Sequence, residues 1–73
     1  MSKQGDLQFV ANIEKYRVLS GLPDHTALAK RIMLSRQLLH RRLEQPGDLT
    51  VNELRRISTV LGMPAEEMLS LFK

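Results

Sequence analysis

Six turn-forming residues, Gly21, Pro23, Pro46, Gly47, Gly62 and Pro64, cut this chain into stretches with room for short helices and little else. Between them apolar residues recur at three- and four-residue spacing, and no stretch shows the alternation of a half-buried strand. The pattern predicts an all-α, compact five-helix domain occupying residues 1–73 as one unit. With 73 residues the core is small, so each apolar helix position matters. The chain has no cysteine, which removes disulfides and cysteine-based metal sites. Its two histidines, His25 and His40, do not make a structural zinc site without cysteine partners. Packing, or packing plus self-association, has to stabilise the fold.

The first stretch is expected from about Leu7 to Ser20, with Val10, Ile13 and Arg17 in helical register and Phe9 and Tyr16 beside them. Gly21 suits the left-handed position that ends a helix, and Pro23 follows it. Asp24 is placed to cap a second helix running to about Met33, with Leu28, Ala29 and Ile32 as its buried stripe. Ser35 is placed to cap a third, running to about Glu44, with Leu39 and Leu43 one turn apart. Gln45 to Asp48 reads as a loop. Thr50 and Glu53 have the spacing of a capping box. The helix they open carries Val51, Leu54, Ile57, Val60 and Leu61 on one side and ends at Gly62. Pro64 suits the first position of a fifth helix, with Glu66 and Glu67 favoured by the helix dipole.

Charge is unevenly spread. The formal net charge is +3, and between Lys30 and Arg42 lie five cations (Lys30, Arg31, Arg36, Arg41 and Arg42) and no acid. A basic stripe on a small domain is the footprint of a polyanionic partner, against the alternative of a merely solvated helix face. No apolar run approaches the length of a membrane span, and the start of the chain lacks the apolar centre of a signal peptide. The expectation is a soluble, cytoplasmic protein with no membrane partner. No glycine-rich phosphate loop, cysteine nucleophile or credible histidine–carboxylate set is present, so the expectation is not an enzyme, with no catalytic residues, no metal and no cofactor.

The informative unit is the pair of short helices from Asp24 to Glu44, joined abruptly at Met33–Leu34. Contacts of Leu28 and Ile32 with Leu39, or of Ile32 with Leu43, would set their crossing. At 100° per residue Gln37, His40, Arg41 and Glu44 share the face opposite Leu39 and Leu43. Arg36 and Gln37 lie in the first turn, where a cation opposes the helix dipole unless an anion is near. Arg can bond bidentately to guanine and Gln to adenine in a major groove. Arg42 points partly toward the core, so a structural or phosphate role fits it better than base reading. Glu44 fits an ion-pair partner or a solvated residue better than a reader of cytosine.

Arg17 with Gly21-Leu22, then Leu28-Ala29, Ile32, Leu34-Ser35-Arg36, Leu39, Leu54, Leu61-Gly62 and Met68-Leu69 occur in an order and spacing similar to those of the phage repressor and Cro-like helix-turn-helix family, the XRE family. The resemblance runs from about Ile13 to Leu71. It implies a lambda-repressor-like DNA-binding fold with the helix-turn-helix at about 24–44. It implies a sequence-specific transcriptional regulator, a repressor binding an inverted-repeat operator in double-stranded DNA as a homodimer, in a bacterial or phage-infected cell. By the same resemblance His25 stands where a glutamine often contacts backbone or base. Arg36, Gln37 and Arg41 stand where bases are read, flanked by His40. Ser35, Lys30 and Arg31 complete the expected DNA-binding set. The four apolar residues Met68, Leu69, Leu71 and Phe72 exceed what closing a small core needs, and are expected at a dimer interface.

The chain also departs from the family pattern. Met33 stands where glycine is usual, so the turn must either accept a left-handed residue at some strain or take another form. Leu43 stands where an acid often pairs with the helix-one arginine, leaving Arg17 to find Glu44 or to remain at the surface. A second function class stays open: an interaction module on the same fold, such as an antitoxin or an inhibitor of another regulator, with a protein partner. The acid-free stripe from Lys30 to Arg42 favours the DNA reading over that one.

Overall fold

Helix α1 runs from Lys3 to Leu19 in the computed structural model, which describes residues 3–69. It starts four residues before Leu7, with Asp6 in its first turn, where a carboxylate favours the helix dipole. The remaining elements are α2 (His25–Arg31), α3 (Arg36–Glu44), a single 3-10 turn (Pro46–Asp48), α4 (Val51–Leu61) and α5 (Ala65–Met68). Among the described residues there is no strand. None of these helices is long and apolar enough to cross a membrane.

The helix starts are written locally. The Asp24 carboxylate accepts from the Ala27 amide at 2.9 Å, and the Ser35 hydroxyl accepts from the Leu38 amide at 3.1 Å. Thr50 and Glu53 close a full capping box at α4: the Glu53 amide donates to Thr50 Oγ1 at 3.1 Å and the Thr50 amide to Glu53 Oε1 at 2.9 Å. Each such cap contributes about 1 kcal/mol. Pro64 caps α5 without a side-chain bond, and that helix is one turn long.

Three helix ends share one device. After α1, the Gly21 amide donates to the Val18 carbonyl and the Leu22 amide to that of Arg17, with Gly21 at φ +75°. After α4, Gly62 sits at φ +65° and the Met63 amide reaches back to Ser58. After α2 the same pair of bonds forms, Met33 to Lys30 and Leu34 to Ala29, but the left-handed residue is Met33 at φ +62°. The turn is therefore tight despite lacking glycine. α2 ends at Arg31, two residues before Met33, because the reversal occupies Ile32 to Leu34. A side chain in this conformation costs about 1–2 kcal/mol. Met33 itself is 74% exposed, so its side chain returns little through packing.

The core is one cluster: Phe9 and Ile13 from α1, Leu22, Leu28, Ala29 and Ile32 around α2, Leu39 from α3, Ile57 and Leu61 from α4, and Met63. Burying a Leu, Ile or Phe side chain stabilises by about 1.5–3 kcal/mol, and these residues carry the fold. Leu28, Ile32 and Leu39 meet in this cluster as expected, with Leu43 packed against it. Two expected stripes shift. On α1 the buried line is Phe9, Asn12 and Ile13 with Tyr16 beside it, leaving Val10 and Arg17 half-buried. On α4 Val51 is 64% exposed, and Glu53 is buried instead. The expected loop after α3 is partly ordered as the 3-10 turn, whose Pro46 is fully buried.

Candidate functional site

α3 presents two unlike faces. Its inner face buries Leu39 and half-buries Leu38, Arg42 and Leu43. Arg42 Nε donates to Glu53 Oε1 at 3.0 Å, so this cation braces α3 to the capping box of α4. Burial on its own would raise the Glu53 pKa. The Thr50 amide, the Arg42 guanidinium and the Thr50 hydroxyl outweigh that and hold it below the ordinary glutamate value.

The outer face carries Arg36, Gln37, His40 and Arg41, all exposed. With His25 from the first turn of α2 they line an open groove of about 610 Å³. All five were expected among the DNA-binding residues, and the structure brings them to one groove. Among the described residues neither Arg36 nor Arg41 pairs with a carboxylate. Ser35 contributes through its backbone-capping bond, which fixes where α3 begins and hence where Arg36 and Gln37 stand. Lys30 and Arg31 are exposed near the end of α2 but do not line this groove.

A second concavity of about 580 Å³ adjoins the first and shares His25 and Arg36 with it. Glu14, Arg17, Pro23, Asp24 and Thr26 complete its wall. Here the structure adds a residue that sequence reasoning missed. Glu14 Oε1 accepts from His25 Nε2 at 2.5 Å, while Glu14 Oε2 accepts from Arg17 Nη2 at 3.1 Å. Burial alone would raise the Glu14 pKa, but the bonds from His25 and Arg17 and their charges hold it below the usual carboxylate range. Arg17 Nη1 in turn donates to the Leu22 carbonyl at 2.7 Å. Arg17 thus neither reaches Glu44 nor lies free at the surface; it ties the end of α1 to the segment entering α2. The i, i+3 spacing of Glu14 and Arg17 was the only local signal of this cluster.

The other histidine has a similar arrangement: His40 Nε2 lies 2.8 Å from Glu44 Oε1, one turn along α3. Both side chains are largely exposed, and the contact is an ion pair when His40 carries its second proton.

Of the residues expected at a dimer interface, Met68 is half-buried against the core and Leu69 is 55% exposed. Leu71 and Phe72 lie outside the described residues. Among the described residues no group of three or more His, Asp or Glu side chains could hold a metal ion. No protein-family model, curated protein or solved structure matches this chain.

Proposed function

We propose that this chain is a sequence-specific double-stranded DNA-binding regulator, a helix-turn-helix domain of the lambda-repressor-like type acting as a repressor. The observation that carries the reading is the outer face of α3, where Arg36, Gln37, His40 and Arg41 share one groove with His25. The tight turn at Met33 and the Leu28–Ile32–Leu39 packing hold that face at a fixed angle to α2. A helix held this way can enter a major groove with its first turn toward the base edges. Arg36 and Arg41 have the chemistry to read guanine, and Gln37 to read adenine. Lys30 and Arg31 lie on the same basic stretch and would add phosphate contacts outside the groove. Two copies on an inverted repeat would set one α3 in each of two successive major grooves. The exposed Leu69 supports a role for the end of the chain in pairing them.

Selection of binding sites from random duplex DNA, followed by a salt titration, tests this. The expected result is a preferred inverted repeat whose affinity falls steeply with salt. Gln37→Ala should relax preference at one position by about 1–3 kcal/mol. An unchanged preferred sequence would show that another residue occupies that place. Sedimentation with and without the selected DNA checks the pairing, which fails if only monomer is found.

A further inference from the structure

Both histidines of the chain line the same groove, and each has Nε2 on a carboxylate, His25 on Glu14 and His40 on Glu44. His25 is faced from α1 by Glu14 and Arg17, from the entry to α2 by Asp24, and from α3 by Arg36, His40 and Arg41. His40 is faced by Arg36, Arg41 and Glu44 of its own helix and by His25 across the groove. The permanently charged members of this set balance. Three guanidiniums (Arg17, Arg36 and Arg41) stand against three carboxylates (Glu14, Asp24 and Glu44), a formal charge of zero. Within this set, from which Lys30 and Arg31 lie apart, the two imidazoles decide between neutrality and two positive charges.

From this juxtaposition we infer that DNA binding by this face is proton-linked: His25 and His40 bind the polyanion as imidazoliums and release it as they lose their protons. The inference rests on the DNA-binding reading above and names its regulation. Phosphates favour the charged imidazole, so a bound histidine holds its proton to higher pH than a free one. Affinity is therefore highest where both imidazoles are charged and falls as pH rises through the range in which they lose their protons. Glu14 acts as a positioning residue. Its carboxylate fixes Nε2–H of His25, leaving Nδ1 to bear the second proton, and a neutral His25 leaves Glu14 with Arg17 as its remaining cation.

The test is fluorescence anisotropy of a labelled mixed-sequence duplex with the full chain, from about pH 5.5 to about pH 8, the range in which imidazole changes charge. Near 0.1 M monovalent salt each phosphate-neutralising cation contributes roughly 0.9 log units, so affinity should drop about sixty-fold across the range for the two histidines together. The salt dependence should also steepen at low pH, by roughly 0.9 in log–log slope per protonated histidine. His25→Gln and His40→Gln should each remove about one half of the logarithmic drop, and the double variant should bind with a flat profile. Glu14→Gln should move the midpoint to lower pH, because the imidazolium loses its counter-ion. Circular dichroism at each pH separates loss of binding from loss of fold. A flat wild-type profile with salt-sensitive binding overturns the inference and leaves the DNA reading standing. A pH drop that persists in the double variant overturns it as well. No duplex binding at any pH overturns both.

Discussion

Arg41 and Arg42 are chain neighbours with the same side chain and opposite surroundings. Arg42 turns inward, one-fifth exposed, and is held by Glu53. Arg41 turns outward into the groove beside Arg36, Gln37 and His40, with no carboxylate on it. A rotation of 100° along one helix separates a structural brace from an unpartnered charge. A charge matched inside the protein has its counter-ion already; an unmatched one stays available to an outside anion. Composition and charge runs cannot separate these roles. The face of the helix does.

The sharpest break of the inner face is Leu39→Ala. Leu39 is 1% exposed at the centre of the cluster, and its truncation should cost about 3 kcal/mol, read as a fall in urea midpoint. Removing Glu53 comes next. Glu53→Ala loses both the capping bond and the Arg42 brace and should cost about 2 kcal/mol, leaving the groove residues untouched. Glu53 also predicts an acid limb. An unfolded glutamate titrates near about 4.3, and the folded value is lower. The stabilisation is then complete above the unfolded value and lost as pH falls through the folded one. Thermal melts on acidification should therefore fall more steeply for the wild type than for Glu53→Gln.

Arg41→Ala should do the reverse of the Glu53 change. Its effect on stability should stay within about 0.5 kcal/mol, while duplex affinity falls about eight-fold near 0.1 M salt, with the salt slope reduced by roughly 0.9. Equal losses of stability from Arg41→Ala and Arg42→Ala would erase the distinction between the two faces. The smallest expected effect lies at the corner between α2 and α3. Met33→Gly relieves a left-handed side chain at the expense of unfolded-state entropy, for a net gain of about 0.5–1 kcal/mol.

Most of the helix boundaries were legible because their causes are local. Asp24, Ser35 and the Thr50–Glu53 box each bond within three residues, and Gly21 and Gly62 mark left-handed ends by their own geometry. The outer face of α3 was legible for a related reason: once Ser35 fixes the start of α3, helical period sets which residues share that face. Period does not fix phase against the rest of the molecule. On α1 the apolar spacing fits a line through Val10 and Arg17 as well as one through Phe9 and Tyr16, and packing chose the second. Val51 reads as core by spacing, yet it lies at the first residue of α4, beyond the cluster. The Glu14–His25 pair joins residues eleven positions apart on two helices, which no local pattern encodes.

The exposed thioether at Met33 has a chemical consequence. Met63 is 4% exposed inside the core, whereas Met33 stands in solvent on the corner that orients α3. A mild oxidant should reach Met33 well before Met63, adding one oxygen to a side chain that packs on little. The sulfoxide would leave the corner's backbone bonds in place and would mark, within a folded molecule, the point from which the outer face of α3 is aimed.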